Sequence, residues 1–354
     1  MVAWRQDILT AGRLASIKPL LDSTLKPLID LSPIKIFKVM FGIRISSIIA
    51  LAAAAFTAAY PNPGTVTGAY SGVHDPSALC KDSAGLYWLF STGNGIAIRT
   101  SPDRIAWTSV GQVFPAGGYS WTDAYTGTSS GSLWAPDCTY KSGTFYLYYA
   151  ASSFGSQNSA IFFAKSTTGK PGSWTNEGLV TSTKTGDSYN AIDPHLIIDG
   201  SNWWLSMGSF WTGIKLIALG ASTGKPSGTT VYSIAQRTAA SGAIEASDIY
   251  KYGSYYYLFT SWDTCCNGIS STYNIRVGRS SSITGPYVDQ SGVALTAGGG
   301  TLVLATHGTI YGPGGQSVYT DTDAPVLVYH YYGTSTSYLG INLLDFSTGW
   351  PVVY

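Results

Sequence analysis

Charge is what this chain has least of. Asp, Glu, Lys and Arg together make up 11% of its 354 residues, and the formal net charge is +1. Nucleic-acid binders carry a clustered basic excess, so no nucleic-acid partner is expected. Sulfur and imidazole are scarce too, with four Cys, three Met and four His. No Cys-x-x-Cys spacing and no His cluster supports a zinc site. There is no Gly-x-Ser-x-Gly elbow, no Gly-Lys-Ser/Thr phosphate loop and no His-Glu-x-x-His. The chemistries that need those parts are therefore excluded. Past residue 60, no apolar run approaches the roughly 18 residues of a membrane span, and helical three-four periodicity is missing. What the chain does have is 41 Gly, 25 Tyr and 11 Trp. An aromatic-rich, charge-poor surface suits a neutral polyhydroxylated ligand, because sugar faces stack on rings.

The N-terminal segment does not share this composition. Met40 opens a stretch with one basic residue, Arg44, an uncharged run from Ile45 to Ala59, and a small-residue end at Thr57-Ala58-Ala59. That pattern predicts a secretory signal peptide over 40–59 and a secreted, extracellular mature chain from Tyr60. Residues 1–39 precede it as an N-terminal extension to which the sequence assigns no role. In an oxidising compartment Cys80, Cys138, Cys265 and Cys266 are free to pair, with three connectivities open, and the adjacent Cys265-Cys266 could bond to each other.

Residues 60–354 repeat themselves five times. The units open at 74-HDPSALCKD-82, 135-APDCTYKSG-143, 192-IDPHLIIDG-200, 244-IEASDIYKYG-253 and 312-GPGGQSVYTD-321. Each continues through an apolar strand, a polar turn and a strand full of aromatics, and then a further apolar strand. Short strands in regular units predict an all-β, five-bladed β-propeller, with a two-sheet sandwich as the structural alternative. In a propeller the innermost strands all start at one end of a central channel. Asp75, Asp193 and Glu245, assigned to equivalent positions of blades one, three and four, would then meet at one mouth. An isolated Asp-Pro usually just caps a strand through its own backbone. Three acids at equivalent places, in a chain with only 19 acids, point instead to acid–base work, because converging like charges push pKa values apart. Asp137 is offset from that position and reads as structural. Glycoside hydrolysis needs such a carboxyl pair flanking the bond.

The motifs His-Asp-Pro-Ser (74–77), Leu-Trp-Ala-Pro-Asp (133–137), Asn-Ala-Ile-Asp-Pro-His (190–195), Ile-Glu-Ala (244–246) and Gly-Pro-Gly-Gly (312–315) together resemble glycoside hydrolase family 43. Within it the chain is most similar to the secreted fungal endo-1,5-α-L-arabinanases, over essentially all of 60–354. The resemblance implies a five-bladed propeller and inverting hydrolysis of linear arabinan, in pectin degradation. Asp75 would be the general base, Glu245 the general acid, and Asp193 the residue that raises and orients the acid. It also implies Trp134 as an aromatic platform, though core packing is an equal explanation, and Asn190 and Ser209 as pocket-lining residues. Arabinanases often hold a channel calcium ion through a fifth-blade His. Many relatives place that His where this chain has Gly315, so His307 is the candidate ligand here. The expected state is a monomer acting on a polysaccharide, with no membrane partner and no organic cofactor.

Other readings share these residues. Exo-acting α-L-arabinofuranosidases and β-xylosidases of the same family use the same three carboxylates and differ in how loops close the groove. A non-catalytic sugar-binding propeller would be free to lose an acid, yet all three are present. Invertase-like propellers carry Arg-Asp-Pro where this chain has Ile192-Asp193-Pro194.

Overall fold

The structure, a computed structural model, describes residues 60–129 and 131–354. The signal-peptide segment 40–59 and the extension 1–39 lie outside the described residues. The repeats form five sheets. From the channel outward, blade one is Cys80–Lys81, Tyr87–Ser91, Ala97–Ser101 and Ala106–Gln112. Blade two is Leu133–Lys141, Thr144–Ala151, Ser159–Ser166 and Thr175–Thr183. Blade three is His195–Asp199, Asn202–Met207, Ile214–Leu219 and Tyr232–Ala235. Blade four is Ile244–Tyr252, Tyr255–Trp262, Asn274–Ser280 and Thr301–Leu304. Blade five is Tyr311–Thr320, Pro325–Tyr332, Ser337–Asp345 and Val352–Val353. This is the five-bladed β-propeller that the repeats predict.

Local sequence explains the blades. Antiparallel neighbours are joined by tight turns, such as Ser142-Gly143 in blade two, where φ is +50° and +79°. Two left-handed residues make a type I′ turn, whose twist matches the strands it joins. The middle strands are apolar on both faces; all five residues of Tyr87–Ser91 are buried. Such sheets cannot face water on either side, so each blade must stack between two others. Five buried clusters do this, one per interface. Phe90 and Phe162 lie between blades one and two, and Phe163 and Trp203 between two and three. Leu216 and Leu258 join blades three and four, Phe259 and Tyr329 four and five, and Leu89 and Leu339 close the circle. Each fully buried side chain of this size contributes about 1.5–3 kcal/mol.

The circle is also closed by the backbone. Thr67–Gly68 adds a parallel outer strand to blade one, while the residues around it bond to blade five. The amides of Gly64 and Gly72 donate to Ile341 O and Ser337 O, each at 2.8 Å. Cys80 and Cys138 form a disulfide between the inner strands of blades one and two. Closing a loop of sequence separation 58 is worth about 4 kcal/mol in the chain-entropy account. Cys265 bonds to Cys266.

One irregularity repeats and sets up the site. Asp75, Ala135, Asp193, Ala246 and Gly315 all have positive φ, at +43°, +42°, +55°, +52° and +57°. They are the equivalent residues of the five blades, at the channel mouth. In blades two, four and five they fall within strand-register shifts, as a β-bulge produces. A left-handed conformation costs a non-glycine residue about 1–2 kcal/mol, and such strain concentrates at functional sites.

Candidate active site

The bulges correct the alignment of the acids. Asp75 and Asp193 occupy the left-handed position, but in blade four that position is Ala246. Glu245 stands one residue earlier, in the place held elsewhere by His74, Trp134, Ile192 and Gly314. Glu245 therefore reaches the channel mouth from the residue before the left-handed position, as His74 does in blade one.

All three nevertheless line one cavity of about 810 Å³ at the mouth. Trp134, Asn190 and Ser209 line it too. Its outer wall includes Phe154 and Trp211, which are 83% and 41% exposed. Sequence reasoning did not find these two. A Phe inside the polar loop 152-SSFGSQNS-159 and the Phe210-Trp211 pair after Ser209 are the signals in the sequence. Ser209 donates to Glu245 Oε2 and Tyr273 to Oε1, each at 2.7 Å. Asn190 is buried, and its Oδ1 accepts from Ser159 at 2.6 Å; it supports the wall of the cavity.

The three carboxyls are held in unlike states. Burial alone would raise Asp75, but the neighbouring His74, through its charge and a hydrogen bond, outweighs it with help from His330 and Thr92. The result is a carboxyl held well below its usual range. Asp75 Oδ2 takes both side-chain hydrogen bonds, from Thr92 at 2.7 Å and His74 at 2.9 Å. Asp193 is pushed well above its usual range by burial and then by the charges of Glu245 and Asp75; one backbone bond, from Ala246 N–H at 3.0 Å, works against this. Glu245 is raised by burial, against the bonds from Ser209 and Tyr273, with a contribution from Asp75. Asp193 and Glu245 thus hold a proton between them in conditions where a free carboxyl would be ionised.

Two residues further along each inner strand lies a second layer. His195 Nδ1 sits 3.4 Å from both Asp137 and Asp248, tying blades two, three and four together below the site. Burial opposes the charge on His195, but the two aspartates dominate and push it up to about 9. Asp137 belongs here, where its Oδ2 accepts from Leu196 N–H at 2.7 Å.

His307 is not part of the site. Its ring nitrogens lie 2.7 Å from Ala305 O and 3.0 Å from Pro61 O, and it packs against Tyr60. It is engaged at the propeller's closure, away from the cavity. Among the described residues, one group brings together three potential ligand atoms: His74, Asp75 and His330. Calcium takes six to eight oxygen donors, and this group offers one carboxylate and two imidazoles. The imidazole nitrogens are moreover already bonded, His330 Nδ1 by the Asp75 amide at 3.0 Å and His74 by Asp75 and Tyr332. The donor set does not fit calcium. A Cβ at Gly315 would stand 2.7 Å from His330 Nδ1 and 2.8 Å from Asp75 Oδ1. The space for a side chain at that position is therefore taken by His330.

Comparison with known proteins matches this geometry. The family model for glycosyl hydrolases family 43 matches residues 69–351. The chain belongs to that family. The arabinan endo-1,5-alpha-L-arabinosidase A of Aspergillus aculeatus is 46% identical over 309 residues, covering 83% of this chain and 94% of that protein. Among solved structures, an endo-arabinanase from Bacillus licheniformis has a TM-score of 0.76 at 42% identity, covering 81% of this chain and 99% of its own. An exo-1,5-alpha-L-arabinanase from a bovine ruminal metagenomic library has a TM-score of 0.75 at 36% identity, with 82% and 99% coverage. In this family 43 chain, the three carboxyls and the aromatic wall line one cavity.

Proposed function

We propose that this chain hydrolyses internal α-1,5-L-arabinofuranosidic bonds of linear arabinan, by single displacement with inversion. The observation that carries the mechanism is the divergence of Asp75 and Glu245 within one aromatic-walled cavity. Asp75 is held ionised and Glu245 is pushed toward its protonated form, which are the states that a base and an acid need at the start of turnover. Water attacks the anomeric carbon and gives its proton to Asp75 as the carbon–oxygen bond breaks. Glu245 gives its proton to the departing sugar oxygen, and solvent returns both groups to their starting states. Burial and then the charge of Glu245 raise Asp193, and because repulsion is mutual the two titrate as a pair that favours a proton at the acid. Trp134, Phe154 and Trp211 supply ring faces for the sugars on either side of the cleaved bond. The Cys80–Cys138 disulfide supports export to an oxidising compartment.

The experiment uses residues 60–354 and debranched arabinan, with products sized over time. An early ladder of oligosaccharides is expected. Arabinose alone from the first minutes would move the chain to the exo class, which the ruminal neighbour represents. Glu245→Gln should abolish cleavage with the thermal midpoint unchanged, and near-full activity in that variant would remove Glu245 from the acid role.

A further inference from the structure

The proposed base is the one of the three acids that is enclosed by histidines, and its own backbone amide decides where the proton of one of them lies. The Asp75 N–H donates to His330 Nδ1 at 3.0 Å. That nitrogen is therefore unprotonated, and the ring proton of neutral His330 sits on Nε2. His330 is fully buried and pushed down to about 3, by burial and then by His74, so it is neutral in ordinary conditions. The two imidazoles stack with centroids 4.0 Å apart, an arrangement unsuited to two cations.

Tyr332 Oη hydrogen-bonds to Cys266 N–H at 2.9 Å, His330 Nε2 at 3.2 Å and His74 Nε2 at 2.8 Å, and Ser271 bonds to it as well. Cys266 Sγ, 3.7 Å from His74 Nε2, is a disulfide sulfur and supplies no proton. Burial opposes the charge on His74, but Asp75, through its own charge and a hydrogen bond, outweighs it and raises His74. Its Nδ1–H donates to Asp75 Oδ2 at 2.9 Å, while Tyr332 holds its Nε2. The bonds link the Asp75 amide through His330, Tyr332 and His74 back to the Asp75 carboxylate. Thr92 fills the other bond to Oδ2. Oδ1 receives no hydrogen bond from the described residues; His330 Nδ1, 3.6 Å away, has no proton to give.

We propose that this closed ring aims the base: His74 is the positioning residue that occupies Oδ2 and leaves Oδ1 to the attacking water, and Tyr332 holds the His74 ring in that orientation through Nε2. The inference rests on Asp75 being the base of the reaction proposed above. It also gives a role to the Cys265–Cys266 turn, which lines the cavity and anchors the Tyr332 hydroxyl through one amide.

Substitutions at His74 separate this from a packing role. Asn places an amide near Nδ1 and can still donate to Asp75, whereas Gln is closer to His in volume but reaches the Nε2 position. His74→Asn is expected to retain at least tenfold more kcat than His74→Gln, with KM near wild type in both. Tyr332→Phe removes the bond that holds His74 Nε2, and kcat should fall about 10- to 100-fold, as for loss of a hydrogen bond to a charged group. Losing the His74 donor raises Asp75, so the acid limb of kcat/KM should move to higher pH. The other groups facing Asp75 are unchanged in these variants: His330 from blade five, Glu245 and Asp193 from blades four and three, and Thr92 from blade one. Gln equal to or better than Asn, or Tyr332→Phe within twofold of wild-type kcat, would overturn the ring. Ring-nitrogen NMR of the unmodified protein reads the tautomers without substrate. It should find neutral His330 protonated at Nε2 and His74 carrying a proton at Nδ1; His330 protonated at Nδ1, or His74 without a proton there, overturns the proposal. An inert wild-type chain with the expected tautomers would instead sink the proposed reaction and leave the ring standing.

Discussion

Removing the Tyr273 hydroxyl should make the enzyme work better in alkali. Tyr273 donates to Glu245 Oε1 at 2.7 Å, and Ser209 donates to Oε2 at the same distance. Both bonds favour the carboxylate, while burial and Asp75 favour the acid and prevail. Tyr273→Phe keeps the ring but deletes one donor. A hydrogen bond to a charged group is worth about 1.5–3 kcal/mol, which is about 1–2 pK units at 1.36 kcal/mol each. The cavity mouth admits water that would partly replace the lost donor, so the lower end, about one unit, is expected. The sign is upward, because the form that loses a partner is the charged one. Glu245 must be protonated to act as acid, so its pKa sets the alkaline limb of kcat/KM. That limb should move about one unit to higher pH, and above the wild-type limb the variant should outpace wild type. The assay is initial-rate release of reducing ends from debranched arabinan across pH, with folding checked by thermal melting at each end of the range. An alkaline limb that stays in place or moves down, in a folded variant, would refute either the acid role of Glu245 or the accounting of its hydrogen bonds.

The buried layer below the site predicts a pH dependence of stability rather than of rate. His195 rises from 6.5 to about 9 in the folded chain, so its contribution is fully present below pH 6.5 and is lost as pH rises through 9. Asp248, pushed up to about 6 mainly by burial, is ionised throughout that window and keeps the partner charge in place. The thermal midpoint should therefore fall from pH 6.5 to 9, and His195→Asn should flatten that slope while lowering the plateau; an unchanged slope would mean the His is neutral. Prolonged chelation followed by gel filtration should leave activity within twofold and the thermal midpoint unshifted, because both imidazoles and Asp75 Oδ2 already hold hydrogen-bond partners. Loss of activity restored by calcium would show that the ring opens around an ion.

How far the sequence could be read depended on which features have a period. Five aromatic hairpins with a polar turn repeat at intervals that strand geometry enforces, so the propeller and the meeting of Asp75, Asp193 and Glu245 were legible. The position of Glu245 within its repeat was not. A bulge adds a residue without changing the apolar pattern, and Ala246, whose φ of +52° marks the true equivalent of Asp193, looks like any small strand residue. Aligning acid with acid is therefore natural and wrong by one place.

The base illustrates the opposite limit. His74 was visible beside Asp75, but its partner Tyr332 is 258 residues away, and no motif joins them. His330 lay unnoticed in 326-VLVYHYY-332, where alternation makes it one more inward residue of a buried strand. The vacancy at Gly315 was read as a missing ligand, with His307 as its replacement. The chain instead fills that space from the neighbouring strand, since Gly315 leaves room for the His330 ring beside Asp75 and a Cβ there would not. A glycine and a histidine fifteen residues apart thus form one device, complementary in volume rather than in pattern. Substituting Gly315→Ala tests that complementarity directly. It should displace His330, take the acceptor from the Asp75 amide, and lower kcat along with the His74 variants. If Gly315→Ala leaves kcat and the histidine tautomers untouched, the close approach is incidental and the glycine serves only its left-handed backbone.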